Sequence, residues 1–179
     1  NDTGTGLFVR DDGGEGGTFS LGTGGGVITT TNGTAVDIDP VALNMTLDQV
    51  NASGGAFGVL LDTVTGTFNV TGGAITGTTT AGLSVINSDI NVNFGATITN
   101  AAGNSVNVAN NSGGTVDVQG TVTDTGLGIR IDSNTGGTVT LSAGSIGLTG
   151  GGIAITNNGG TVTSSAGSTI TITDPGAGV

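Results

Sequence analysis

Asp37, Asp39 and Asp62 have the strongest claim to chemistry in this chain of 179 residues. Asp37 and Asp39 are two apart, so on a strand they share a face. Asp39 and Asp62 occupy one offset in neighbouring sequence repeats, and Arg10 holds that offset one repeat earlier. Carboxylates converging in this way are the oxygen ligands that Ca²⁺ takes. The simpler expectation is a solvated acidic face partly neutralised by Arg10, with no metal bound. Arg10 beside this trio is also the only arrangement that offers a base next to a carboxylate cluster. The other Asp residues scatter, which speaks against the paired carboxylates of a glycoside hydrolase. Arg130 and Asp132 share a solvent face, where an ion pair is worth about 0–1 kcal/mol. No catalytic, cofactor-binding or metal-ligating residue is assigned, and the chain is not expected to be an enzyme.

The absences narrow the field further. The sequence has no His, Cys, Trp or Tyr. That removes zinc and haem ligation through those residues, iron–sulfur clusters, Ser-His-Asp and Cys-His catalysis, and disulfides. Its 2 basic residues, both Arg, against 13 acidic ones give a net charge of −11. So sparse a positive charge cannot neutralise a phosphate backbone, and no nucleic-acid partner is expected. No apolar run reaches the length of a membrane-spanning helix, so no membrane insertion is expected. No basic, then apolar, leader opens the chain. Its start at Asn1 rather than Met reads as a processed or excised segment.

The elements that must position these residues follow from an internal repeat. Apolar-x-apolar triplets, rich in Val, Ile and Thr neighbours, are strand formers. The first triplet begins at Leu7, Val36, Val59, Leu83, Val106, Ile129 and Ile153. A second begins at Phe19, Met45, Phe68, Ile90, Val116, Val139 and Val162. A third is centred on Val27, Val50, Ile75, Ile98, Val122, Ile146 and Ile170. Three columns keep a common period of about 23 to 24 residues. The prediction is an all-β, right-handed parallel β-helix (β-solenoid) of about seven coils, with three short strands per coil. A hexapeptide left-handed helix would need about 18 residues per coil, and the usual hand of parallel crossovers favours the right. A β-sandwich is the alternative, but it does not require three columns in register. Residues 1–32 read as an irregular first coil with a Gly-rich acidic loop at 11–17. Residues 33–173 read as the regular helix, and 174–179 as a tail or linker, within one domain.

Two polar patterns recur with the period. Asn111, Asn134 and Asn158 share an offset, each followed within one or two residues by Gly-Gly-Thr, and they predict a stacked amide ladder at a turn where Asn tolerates left-handed backbone. Outward Thr-x-Thr pairs occur at Thr97/Thr99, Thr121/Thr123, Thr138/Thr140, Thr161/Thr163 and Thr169/Thr171. Thr is the favoured polar strand residue, and arrays of it also suit ice.

The stretch GLGIRIDSNTGGTVTL, residues 126–141, carries the fullest form of the repeat. It resembles the right-handed parallel β-helix repeats of bacterial secreted and surface proteins, such as autotransporter passengers and haemagglutinin-type adhesins. That resemblance implies a structural or adhesive segment, a rigid stalk or self-associating scaffold, located outside the cell or on its surface. The alternatives are a carbohydrate-binding β-helix, against which the lack of Trp and Tyr weighs, and an ice-binding solenoid. The partners expected are neighbouring coils of a longer chain or end-to-end copies, together with a host surface or glycan.

Overall fold

Apolar residues two apart can be buried together only if their run is extended with one face turned inward. Repeating such runs at a fixed period sets each inward pair on the one below, at the strand spacing of about 4.8 Å. A computed structural model describes residues 4–11, 17–22, 25–100 and 102–173. The fold is an all-β parallel solenoid of about six turns. Seven strands stack on the first face, from Leu7–Val9 to Ile153–Thr156, and six coil-to-coil steps join them. Seven rungs were therefore counted as seven coils in the sequence. Residues 12–16 of the Gly-rich loop and the tail at 174–179 lie outside the described residues.

On the first face the register is the one the period predicts. Leu7, Val36, Val59, Leu83, Val106, Ile129 and Ile153 pair in succession, every ladder parallel. The second and third faces belong to a single twelve-stranded sheet. This corrects the expectation of three short strands in every coil. Ala42–Ser53 and Thr65–Thr76 each run unbroken from the second face to the third. Their mid-sections stay in the ladder, with Gln49 paired to Gly72 and Val50 to Gly73. Beyond them the sheet forks: Asp89–Phe94 pairs with the first half of Thr65–Thr76, and Thr97–Asn100 with its last three residues.

Three pairings in two of the columns differ locally from the sequence reading. Phe19 pairs with Leu43 rather than Met45, Phe68 with Val92 rather than Ile90, and Ile75 with Ala52 rather than Val50. Each slip is two residues, which leaves every side chain on its own face, so the apolar pattern alone does not distinguish the choices. At the N-terminal end of the third face a further slip is one residue. Ile28, not Val27, pairs with Val50, and Val27 is 59% exposed. Adjacent apolar residues offered two registers, and a one-residue shift exchanges the faces.

The core fills the lumen between the faces. One file runs through Ile38, Leu61, Val85, Val108 and Ile131, and the aromatic rings Phe68 and Phe94 are fully buried. Burying a side chain of this size contributes about 1.5–3 kcal/mol. The corner after the first face is a column of left-handed residues: Thr63, Asn87, Asn110, Ser133 and Asn157 have φ between 47° and 58°. The left-handed position thus falls one residue before the Asn column, not on it. The reversal at this residue swings the next side chain back over the end of the core.

Candidate interaction surfaces

The first face gathers the charges that the sequence singled out. The strand pairing that sets Val9 beside Ile38 and Ile38 beside Leu61 brings Arg10, Asp39 and Asp62 into one file. The Arg10 Nη2 donates to Asp39 Oδ2 at 3.1 Å, and its guanidinium lies 5.7 Å over the Phe8 ring. Asp62 Oδ1 accepts from Thr63 Oγ1 at 2.9 Å and from Asn87 Nδ2 at 2.8 Å. The trio is side by side, but among the described residues no three carboxylates are grouped so as to hold a metal ion. The arrangement is an acidic strip, its hydrogen bonds made within the protein.

Its electrostatics yield a pH prediction. Partial burial raises the pKa of Asp37 from its ordinary 3.8; Arg10 opposes the rise, and Asp39 and Asp62 add to it. The folded state therefore holds this proton more tightly than the unfolded chain does. The ionised form subtracts stability at neutral pH, and that loss is relieved as pH falls through the raised pKa towards 3.8. Asp37→Asn is expected to melt above the parent at pH 7, with the two curves converging below pH ~4. A constant difference across pH would show that the shape of the side chain, not its charge, is responsible.

Arg130 forms the expected pair with Asp132 and also donates through Nη1 to Asn107 Oδ1 at 3.0 Å. The Thr156 hydroxyl, first of all, and then Ser133, Arg130 and Asn157 hold the Asp132 pKa below 3.8 against a smaller opposing effect of burial. These groups tie three successive coils together on the surface.

The Asn column lies at the corner between the first and second faces. Asn111 Oδ1 accepts the Ser88 N–H at 2.7 Å, and Asn134 Oδ1 accepts the Asn111 N–H at 2.9 Å. Each amide nitrogen donates to a first-face carbonyl of the coil below, Asn111 to Val85 and Asn134 to Val108, both at 3.2 Å. Asn134 Nδ2 also donates to Asn158 Oδ1 at 3.1 Å. Towards the N-terminus the ladder continues through a residue the sequence reading passed over. Ser88 Oγ accepts the Val64 N–H at 3.1 Å and donates to the Ile86 carbonyl at 2.7 Å.

The Thr pairs divide between two faces with different chemistry. Thr138/Thr140 and Thr161/Thr163 lie on the second face, stacked in register with each other. There the outward polar residues bond from coil to coil: Asn69 to Thr46, Asn93 to Asn69 and Thr163 to Thr140. Thr97/Thr99, Thr121/Thr123 and Thr169/Thr171 lie on the third face. Among the described residues the hydroxyls of Thr99, Thr121, Thr123, Thr169 and Thr171 make no hydrogen bond to the protein, and all five residues are exposed.

One buried carboxylate escaped the sequence reading. Asp124 is wholly inaccessible; it accepts the Ser105 hydroxyl on one oxygen and the Gly126 N–H on the other. The second bond is an Asx turn, and the Asp-Thr-Gly sequence was its available signal. It closes the corner between the third and first faces, while its other oxygen holds the start of the preceding first-face strand, Asn104–Ala109.

No family model matches the chain, and neither a curated protein nor a solved structure is significantly similar to it.

Proposed function

We propose that the chain is a rigid structural segment of a secreted or cell-surface bacterial protein, a spacer or adhesive stalk on which further coils can stack. One observation carries the reading. In the last described coil Ile155, Ile170 and Ile172 stand in the core columns yet are 50%, 36% and 51% exposed. Their partners one coil earlier, Ile131, Ile146 and Leu148, are completely buried. A surface of this kind, flanked by strands with open hydrogen-bonding edges, templates another coil. That coil comes from the same polypeptide or from a second copy. The repeat resemblance to autotransporter passengers and haemagglutinin-type adhesins supports the extracellular setting, and the parallel ladder supplies the stiffness such a role needs.

Light scattering on residues 1–179 across a concentration series tests the stacking surface. The expected result is a mass that grows with concentration and falls to that of one chain in the Ile155→Lys/Ile172→Lys variant. A parent that stays monomeric at every concentration would remove the argument from this surface.

A further inference from the structure

We propose that the third face is an ice-binding surface. The strand register lays its outward residues in two straight files. One contains Thr29, Asn51, Ala74, Thr97, then Thr121, Ser145 and Thr169; the other contains Thr31, Ser53, Thr76, Thr99, Thr123, Gly147 and Thr171. Four of the seven rungs are Thr-x-Thr. Neither file holds a charged residue, although the chain carries a net charge of −11. Both arginines lie on the first face, with Asp39 and Asp132 as their partners.

The spacing sets the partner's chemistry. Rungs about 4.8 Å apart and outward residues about 6.6 Å apart along each strand make a two-dimensional mesh of hydroxyls and methyls. The oxygen lattice of ice repeats on this length scale in two directions and has no net charge. Thr is stiff at χ1, and the ladder fixes the backbone beneath it. The hydroxyl positions are therefore set before binding, and little conformational entropy remains to be lost. Thr97 and Thr76 donate to the Gly73 and Ala52 carbonyls of the preceding coil, and Thr29 accepts from Asn51; the five hydroxyls without a protein partner are available to water. A sugar chain fits less well, since neither file offers an aromatic ring, an acid or more than one amide.

The files also show where the surface is defective. Gly147 interrupts one of them between Thr123 and Thr171. A Cβ added there meets nothing within 4 Å. Gly147→Thr therefore extends the array without disturbing the fold.

The experiment uses residues 1–179 and single ice crystals held just below melting. The parent is expected to facet the crystals and open a gap between melting and freezing. Thr123→Tyr, in the middle of the face, is expected to reduce that gap several-fold. Thr140→Tyr, on the second face, is expected to leave it unchanged, and Gly147→Thr to widen it. Circular dichroism melts confirm that each variant is folded. Round, unshaped crystals with the folded parent would overturn the proposal, as would equal losses from both Tyr variants. Retention on microcrystalline cellulose without any effect on ice would overturn it too. None of these readouts depends on coil stacking at the ends, so the surface can fail while the spacer role stands, and the reverse.

Discussion

Replacing Asn134 by Ala is expected to lower stability by about 1–3 kcal/mol, the penalty for buried polar groups left without partners. In a domain of this size that is a loss of several degrees in the melting temperature. Asn134 is 3% exposed and makes three bonds. Its truncation orphans the Asn111 N–H and removes a partner from the Val108 carbonyl and from Asn158. Two comparisons separate the ladder from mere packing. Asn134→Ser should fall between parent and Ala, because Ser88 already serves this column with a hydroxyl that accepts from one backbone group and donates to another. Asn158→Ala should be milder, because its corner is half open and water replaces the amide. An Asn134→Ala protein that melts within about a degree of the parent would show that the backbone groups find other partners.

The same column shows which parts of the structure were legible in the sequence. The period of the triplets announced the first face in its final register, since Val, Ile and Leu two apart admit only one inward assignment there. It also placed Asn111, Asn134 and Asn158 in one file. The pattern was silent wherever two registers satisfy it equally. Phe19 against Leu43 or Met45 is such a case, because both choices bury the ring. Val27 and Ile28 are another, because adjacent apolar residues leave the face open. The continuous strands Ala42–Ser53 and Thr65–Thr76 were missed for a related reason: Gly72 and Gly73 are poor strand formers, and only the neighbouring coil keeps them in the ladder. Asp124 was missed because burial of a lone carboxylate has no periodic signature. Its partner Ser105 lies in the preceding first-face strand, Asn104–Ala109, and nothing in the spacing connects the two. For the surfaces, the sequence showed the Thr pairs and their columns but not which hydroxyls are bonded. Which pairs bond to one another and which are free for water depends on the fork in the second sheet.

The Gly-Gly-Thr step of the repeat carries the second large prediction. Gly114 sits at φ +73° and pairs with Ile90 in the ladder. A Cβ at Gly114 would lie 2.1 Å from the Ile90 carbonyl oxygen. Its equivalent Gly137 has φ +79° and would place a Cβ 2.6 Å from the Gly113 carbonyl. Glycine recurs here because each coil rests on the backbone of the one below, with no room for a side chain between them. Gly114→Ala is therefore expected to cost more than about 3 kcal/mol. Roughly 1–2 kcal/mol of that comes from the left-handed backbone, and the remainder from moving a carbonyl held by ladders on both sides. The strand Asp89–Phe94 is bonded to its neighbours in both directions, so the clash cannot be relieved by shifting one residue. Gly147→Ala is the matched control. It has ordinary strand backbone and open space, and it should gain about 0.4–1 kcal/mol by restricting the unfolded chain. Hydrogen exchange adds a spatial test: in Gly114→Ala, protection should fall first in Asp89–Phe94 and Gly113–Val118, while the first-face amides of distant coils stay closed. A Gly114→Ala protein as stable as Gly147→Ala would mean that the coils are not held at the close spacing on which the stacked core depends.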